Sequence, residues 1–426
     1  MSLKALIDSG VIKRTDASKK YTIDGEQKVL PIYRIPLRHL YYNDQNGRIS
    51  TAYQQYLSTH DDVALSPAAD DNNPSYNKIF EDFIFDSNPM RMKQTIESIR
   101  DRRQEEPGVV LDDGRVIDGN RRFTALRRIE REGAHPQHYF EAAILDLDIS
   151  NETDKRTIKR LELDLQMGKE DREDYDPIDR IFDVYNTVEV QKLMTAQEYA
   201  TSIGQKNAKG VNQDIEEAKL IADYLDFINA PRTAYYLAKQ MKLDGPMHEV
   251  RRVLQKAKAL DDGELKSAIF ALLTKDYGES GAGQKGDLTR TIRRQLENLV
   301  SSSAREDWKV GTEDDIDVIY DACHAESVSD SSQISQVLES TPEVQQAVTR
   351  FDRTSRALER KSQYKGNLEN VVSNIAESLD LLQSLDSGTL ESLSPEQTRV
   401  AAKTLDDIIS LASEHRQILK GTGYLL

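Results

Sequence analysis

Residues 118–122, Asp118-Gly119-Asn120-Arg121-Arg122, place a glycine, a short polar residue and two arginines where a helix is predicted to begin. The first turn of a helix presents free backbone N–H groups and the positive end of the helix dipole, and both favour a bound anion. Guanidinium groups add charge-assisted hydrogen bonds to phosphate or carboxylate oxygens. These five residues therefore indicate a phosphate-binding site. The alternative for two adjacent arginines is that they pair with acidic neighbours in the chain.

A tight hairpin and a helix are predicted to position this pentapeptide. Val109-Val110-Leu111 and Arg115-Val116-Ile117 flank Asp112-Asp113-Gly114, and Asp-Gly suits a two-residue β-turn. A helix should then run from residue 120 to about 132. Its apolar face comprises Phe123, Ala125, Leu126 and Ile129, and its opposite side comprises Arg127, Arg128 and Arg131. Arg122 falls among the apolar positions, where a guanidinium needs an anionic partner, so we expect it to be the principal phosphate ligand.

Further elements complete an α+β unit, a mixed sheet with helices, over residues 1–150. The run 29–37 is rich in β-forming residues but contains Pro31 and Pro36, which favours an edge or exposed strand. A polar stretch, 41–74, contains the turn signal Asn46-Gly47 and ends in the cluster 70–74, D-D-N-N-P, which indicates a loop. A helix should begin at Asn88-Pro89 and end before Pro107-Gly108, and a strand should span 140–147.

The string 116–126, V-I-D-G-N-R-R-F-T-A-L, resembles the G-E-R-R-x-R-A box of ParB partition proteins and the G-C-H-R box of sulfiredoxin. The resemblance implies a ParB/sulfiredoxin-like fold. It also implies that a nucleotide, CTP in preference to ATP, binds at Asp118, Gly119, Asn120, Arg121 and Arg122. Asn120 stands where sulfiredoxin has its nucleophilic cysteine. Because an amide cannot act as a thiolate, sulfiredoxin activity is excluded.

Two further segments extend the ParB resemblance more weakly. Arg48 follows a turn after the first strand, as does a ParB arginine that contacts nucleotide or partner; the alternative is a solvated loop arginine. The segment 162–166, E-L-D-L-Q, is similar to the ParB motif E-N-x-Q-R, with Leu163 in place of the glutamate and Asp164 in place of the asparagine. In ParB this pair helps to place the metal and the hydrolytic water. We therefore expect slow or absent CTP hydrolysis, with Asp164 either a Mg²⁺ ligand or a solvated residue.

Beyond residue 150 almost all of the sequence has helical periodicity. It divides into a linker with a helix-turn-helix candidate at 151–235, a helical domain at 236–330 and an association domain at 331–426. Within 195–224, two predicted helices flank Ser202-Ile203-Gly204, which is typical of a helix-turn-helix. Its second helix offers DNA contacts from Lys206, Asn207, Lys209, Asn212 and Gln213. A purely structural pair of helices is the alternative.

Two long amphipathic stretches near the end of the chain, 344–385 and 395–419, are predicted to form a helical hairpin. Their apolar residues recur at helical spacing without a distinctive polar ligand, which indicates a core or a dimer seam. We expect these helices to pair two copies of the chain, because linking two weak DNA-binding modules raises their avidity.

Composition narrows the possible settings and partners. The net charge is −16, apolar residues make up 38% and charged residues 31%. No apolar run approaches the roughly 20 residues that cross a bilayer, so no membrane partner is expected. The first residues lack a secretory signal, and a single cysteine, Cys323, cannot form an internal disulfide, which favours the cytoplasm. Because Lys and Arg supply most non-specific affinity for DNA, any DNA contact must be local.

Three classes of function remain. The first is a ParB-like, DNA-associated protein that binds a nucleoside triphosphate, possessing at most a weak NTPase activity. The second is a nucleotide-using enzyme or nuclease of a DNA-modification, phage or defence system. The third is an interaction subunit with a vestigial pocket. Gly281-x-Gly283-x-x-Gly286 and the pair His135 and His138 are assigned to loops, because no strand precedes the glycines and no further ligand supports a metal.

Overall fold

The computed structural model describes residues 2–60, 65–133, 138–167, 176–280, 288–300, 304–364, 368–383, 385 and 387–421. It confirms the α+β class, with a mixed sheet in the first part of the chain and a mainly helical remainder. Contacts divide the chain into two compact units, Met1–Glu359 and Arg360–Leu426. No helix in the described part is long and apolar enough to span a membrane.

Six strands form the sheet. They are β1 (Lys13–Ile23), β2 (Glu26–Pro36), β3 (Tyr41–Tyr42), β4 (Gly108–Leu111), β5 (Arg115–Asp118) and β6 (Tyr139–Leu145). Their order is β1-β2-β6-β4-β5-β3, with β4–β6 and β5–β3 parallel and the other pairs antiparallel. The helices around this sheet are α1 (Leu3–Asp8), α2 (Ser50–Thr59), α3 (Pro74–Ser87), α4 (Pro89–Arg102) and α5 (Asn120–Arg131).

The predicted hairpin and the helix after it are confirmed. β4 and β5 pair antiparallel around residues 112–114, and α5 begins at Asn120 directly after β5. The four apolar residues that were assigned to one face of this helix are all buried: Phe123, Ala125, Leu126 and Ile129. The local sequence therefore specified how strand, glycine and helix start succeed one another.

The prediction that residues 29–37 form an edge or exposed strand is wrong for residues 32–36, along which β6 also pairs, whereas residues 29–31 have only β1 as a partner strand and Val29 is 63% exposed. β2 lies inside the sheet, between β1 and β6. Its prolines are tolerated because β6 pairs only with residues 32–36, so Pro31 has one partner strand and Pro36 ends the strand. The β1–β2 register also shifts between Arg14 and Ser18, beside the point where Ser18 pairs with Pro31.

The polar stretch 41–74 contains more regular structure than its turn signals suggested. β3 pairs parallel with β5, a 3-10 turn spans Gly47–Ile49, and α2 follows it. Asn77 of α3 accepts a hydrogen bond from the Tyr42 N–H and donates one to the Leu40 carbonyl, at 3.2 and 2.9 Å. Contacts to a helix remote in sequence therefore organise this segment, and no local pattern reveals them.

The three arginines opposite the predicted apolar face of α5 bind an acidic residue of α3. They surround the carboxylate of Glu81 on α3, whose side chain is fully buried. Its oxygens lie 3.2 Å from Arg127 Nε and 3.1 Å from Arg128 Nε, and Arg131 binds the same carboxylate through both terminal nitrogens. Arg127 also binds Asp70 at 2.6 Å. This cluster fastens α5 to α3.

The other described elements that begin in the first unit are helices. They are α6 (Glu152–Met167), α7 (Pro177–Tyr185), α8 (Ala196–Ser202), α9 (Lys209–Phe227), α10 (Tyr235–Gln240), α11 (Asp244–Ala257), α12 (Gly263–Ser280), α13 (Leu288–Leu299), α14 (Arg305–His324), α15 (Gln333–Leu338) and α16 (Pro342–Tyr364). A π-helical turn, Asn186–Val190, extends α7. Most of these helices share one apolar core, which includes Phe182, Tyr224, Trp308 and Phe351.

The second unit contains α17 (Leu368–Gln383), α18 (Ser387–Glu391) and α19 (Pro395–Gly421). The stretch 344–385 was expected to be one helix, and its described helical residues lie in two, α16 and α17. The first of the two, α16, contributes Phe351 to the core of the first unit. In α19 no described residue is buried, and Val400, Ile409 and Ile418 are all more than half exposed.

A buried carboxylate joins α2 to the helical part and gives a testable pH dependence. Asp179 on α7 accepts hydrogen bonds from Thr51 Oγ1 and Lys239 Nζ, both at 2.7 Å. Burial raises its pKa from 3.8 to about 6 despite the opposing effect of Lys239. The folded state thus holds a proton between about pH 4 and pH 6 that the unfolded state has released, so the stability contributed by this group falls as pH rises through that window.

We expect Asp179→Asn to flatten this part of the pH profile of stability, by on the order of 2 kcal/mol between pH 4 and pH 7. Urea unfolding followed by circular dichroism at several pH values measures the effect. Asp226→Asn is the matched control, because that side chain is 67% exposed. Equal slopes for the wild type and Asp179→Asn would show that this carboxyl group does not titrate as its surroundings indicate.

Candidate functional site

A cavity of about 600 Å³ lies at the start of α5. All five residues of the Asp118–Arg122 pentapeptide line it, together with residues of α4, Asn46 and Leu165. The lining includes five cationic side chains and three acidic ones: Lys19, Arg91, Arg103, Arg121 and Arg122 against Glu105, Glu106 and Asp118. Among these cations, Lys19 pairs with Glu106 and Arg122 with Asp118, whereas no described residue pairs with the side chain of Arg103.

Gly119 makes the connection between β5 and α5 possible. Its φ is +93°, in the left-handed region that favours glycine. A Cβ atom there would lie 2.8 Å from Phe140 Cζ and 3.2 Å from Arg122 Nη2, so a side chain would displace both neighbours. The glycine therefore lets the chain enter α5 without filling the space where the helix presents its free N–H groups.

Arg122 lines the cavity, and hydrogen bonds within the protein fix its side chain there. Its Nη1 donates to the Glu106 carbonyl at 2.7 Å, and its Nη2 donates to Asp118 Oδ2 at 3.0 Å. We expected a ligand to supply the negative charge beside Arg122, and Asp118 supplies part of it. These bonds use two of the five guanidinium N–H groups and orient the fork at the wall of the cavity.

Asn120 supplies an unsatisfied polar group in this cavity. The residue is 8% exposed, and its Oδ1 has no hydrogen-bond partner among the described residues. Leaving such an atom unpaired costs roughly 1–3 kcal/mol. Rotation of the amide exchanges Oδ1 and Nδ2, so the group can accept from a ligand hydroxyl or donate to a phosphate oxygen. A bound polar ligand removes the penalty in either orientation.

Arg103 is a cavity residue that the sequence reasoning missed. It follows α4 with φ 66° and ψ −169°, a backbone region that is almost confined to glycine. No described residue forms a hydrogen bond or ion pair with its side chain, and the residue lines the cavity. Strain of this kind clusters at ligand sites. Local sequence offers no signal for it, because the conformation depends on how α4 packs.

The other segments of the ParB resemblance lie near this cavity. Arg48 lies in the Gly47–Ile49 turn, two residues after the cavity residue Asn46. Its side chain lies outside the described part of the structure. Asp164 is exposed on α6, and the adjacent Leu165 lines the cavity. Among the described residues, no group of three or more His, Cys, Asp or Glu side chains is arranged to hold a metal ion.

Comparison of the chain with protein-family models, with curated proteins and with solved structures found no match. The ParB/sulfiredoxin resemblance accordingly rests on the residues quoted above.

The helix-turn-helix candidate is formed by α8 and α9, and its apolar residues pack on α6 and α7. Tyr199, Ile203 and Val211 are buried in a cluster with Leu163 and Val184. Two of the five proposed DNA contacts, Lys206 and Asn207, precede α9 instead of lying on it, because Asn207 Oδ1 accepts from the Lys209 N–H at 3.1 Å to form the turn. The exposed members of the proposed set are Lys206, Asn207, Lys209 and Asn212, whereas Gln213 is half-buried.

The remaining sequence motifs offer no chemistry in the described residues. Gly278 lies inside α12, and the rest of the glycine-rich run, 281–287, lies outside the described residues, as does His135. His138 lies 3.3 Å from Glu130. Cys323 is buried, and burial raises the pKa of its thiol to about 12, so it stays protonated at neutral pH.

Proposed function

We propose that the protein binds a nucleoside triphosphate in the cavity at the start of α5 and acts in a DNA-associated process. The observation that carries the proposal is the convergence at one cavity of a helix start without a side-chain cap, the Gly119 turn, the Arg122 guanidinium and an Asn120 Oδ1 that has no partner among the described residues. Its volume of about 600 Å³ is within the usual range for small-molecule sites. The preference for CTP over ATP comes from the resemblance to ParB proteins.

Isothermal titration of the full chain with CTP, ATP, ADP and inorganic phosphate tests this proposal. We expect a triphosphate to bind and phosphate alone to bind far more weakly, because a single phosphate engages only the helix start. The titrations are run with and without Mg²⁺, and phosphate release reports any hydrolysis. If no nucleotide binds at millimolar concentration, the nucleotide proposal fails and the interaction-subunit alternative takes its place.

The DNA part of the proposal depends on the exposed turn before α9. Lys206 and Lys209 have no ion-pair partner among the described residues, and Asn207 and Asn212 are exposed beside them. Phosphates are natural partners for the two ammonium groups, and amide side chains suit base edges. Asp214, one turn later, pairs with Arg180 at 3.1 Å, so contacts would be confined to the beginning of the helix.

We expect Lys206→Glu with Lys209→Glu to abolish retardation of duplex DNA at low salt and to leave triphosphate affinity unchanged. The matched control is Lys242→Glu with Lys256→Glu, which changes the net charge equally at exposed positions of the helical part outside α8 and α9. Similar loss of DNA binding in both variants would indicate a non-specific charge effect. If the wild-type chain retards no DNA with any nucleotide, the DNA proposal fails.

We further propose that the second unit pairs two copies of the chain, because α19 leaves Val400, Ile409 and Ile418 more than half exposed. The structure places the suitable truncation after Tyr364, since an earlier end removes Phe351 and Ser355 from the core of the first unit. Light scattering and gel retardation of the chain without residues 365–426 should show a lower mass together with weaker DNA binding.

A further inference from the structure

A second cavity of about 300 Å³ is lined by residues 43–45 and 47. Asn46, in the same segment, lines the first cavity. One wall is formed by this segment and α2, and the other by α6 and the π-helical turn that follows α7. Nothing in the sequence pointed to this site, because its walls are more than 90 residues apart in the chain. π-helical turns of this kind frequently occur at functional sites.

Two lysines and three carboxylates line this cavity, Lys155 and Lys159 against Asp44, Glu162 and Asp183, and Arg115 outside it pairs with Asp44. Lys159 Nζ donates to Asp183 at 2.6 Å and lies 3.5 Å from Glu162, and all three side chains are nearly inaccessible. Although burial alone would lower it, these carboxylates raise the pKa of Lys159, so it stays cationic. Tyr199 also donates to Asp183, at 2.7 Å. When Lys155 and the Asp44–Arg115 pair are included, three cations face three carboxylates, so the described groups leave no excess charge to attract an ion.

The groups left to meet a ligand are mainly amides. Gln54 Oε1 on α2 is buried and has no hydrogen-bond partner among the described residues. Gln45, Asn186 and Gln191 also line the cavity, and the ring of Tyr53 forms part of the same wall. Amide side chains can form bidentate hydrogen bonds with the edge of a nucleobase, and an aromatic ring can stack on its face. The volume is at the small end of the range for ligand sites.

We infer that this second cavity binds an uncharged nucleobase or nucleoside, whose N–H or O–H group donates to Gln54 Oε1. An occupant would contact Gln45 and Gly47, which flank the first-cavity residue Asn46, and would therefore influence triphosphate affinity. This site is separate from the proposed triphosphate site, and its occupancy does not require that proposal to hold.

The test uses the full chain and four nucleosides, adenosine, guanosine, cytidine and uridine, with the free bases adenine and cytosine as a second arm. Binding is measured by ligand-observed NMR and by calorimetry, with and without saturating CTP. We expect one of these probes to bind, and hydrogen exchange of α2 and of residues 43–50 to slow when it does. If none of the probes binds at millimolar concentration, the cavity is a solvent-filled crevice and the inference is wrong.

Gln54→Leu removes the unpaired acceptor and keeps the side chain similar in size. We expect it to weaken binding of that probe about tenfold, the effect of losing one hydrogen bond. Because Oε1 has no protein partner, the melting temperature should stay the same or rise. The control is Gln55→Leu, the same change at the neighbouring exposed position of α2. Unchanged probe affinity in Gln54→Leu would overturn the assignment even if the probe binds elsewhere.

Discussion

Arg122→Ala is expected to weaken triphosphate binding at least about a hundredfold in a protein that stays folded. Hydrogen bonds from a charged donor contribute roughly 1.5–3 kcal/mol each, and the alanine removes both the remaining donors of the fork and its charge. Folding should suffer little, because the ion pair with Asp118 is about one quarter exposed and such pairs contribute at most about 1 kcal/mol.

Two further substitutions show whether the geometry of the fork matters. Arg122→Lys keeps the charge but cannot hold Asp118 and the Glu106 carbonyl simultaneously while facing a phosphate, so we expect an intermediate affinity. Arg34→Ala on β2 removes an exposed arginine outside the cavity and should leave binding unchanged. Calorimetry supplies the affinities, and circular dichroism confirms folding. Full affinity in Arg122→Ala would place the nucleotide elsewhere.

Glu81→Ala is expected to lower the free energy of unfolding by about 3–5 kcal/mol. Its carboxylate is fully buried and forms ion pairs with three arginines of α5. One of these, Arg127, is only 8% exposed and would keep Asp70 alone as its acidic partner in the cluster. A buried cation that loses its counter-charge retains the cost of desolvation without the compensating attraction. We therefore expect the substitution to lower the free energy of unfolding more than it lowers nucleotide affinity.

Denaturant unfolding of two comparison variants separates the causes. Glu81→Gln preserves the shape of the side chain but not its charge, and we expect it to lose a large part of the same stability. Asp82→Ala changes the adjacent acid, which is 43% exposed and pairs with Lys78 and Arg128, and it should cost less than about 1 kcal/mol. A similar effect for positions 81 and 82 would show that the buried cluster does not anchor α5.

The buried cluster and the proposed site occupy different parts of α5. The cavity lies at the first turn of the helix, and the arginines of the cluster lie farther along and do not line the cavity. We expect any Glu81 variant that remains folded to bind nucleotide nearly as well as the wild type. The two predictions therefore distinguish residues that meet a ligand from residues that hold the helix.

The amino-acid sequence by itself determined the β4–β5 hairpin, the glycine turn and the start and apolar face of α5. These features depend on neighbouring residues: an Asp-Gly turn, a glycine free to adopt positive φ, and apolar side chains at helical spacing. They sufficed to locate one cavity-lining pentapeptide and to suggest a phosphate as its partner.

Only the tertiary structure decided what completes the cavity and what holds it in place. Glu81 meets Arg127 across 46 residues of chain, and Thr51 meets Asp179 across 128. The same packing gives Arg103 its strained backbone and leaves Gln54 Oε1 without a partner. Such features arise where segments distant in sequence meet, and local propensity and periodicity describe only a segment's nearest neighbours.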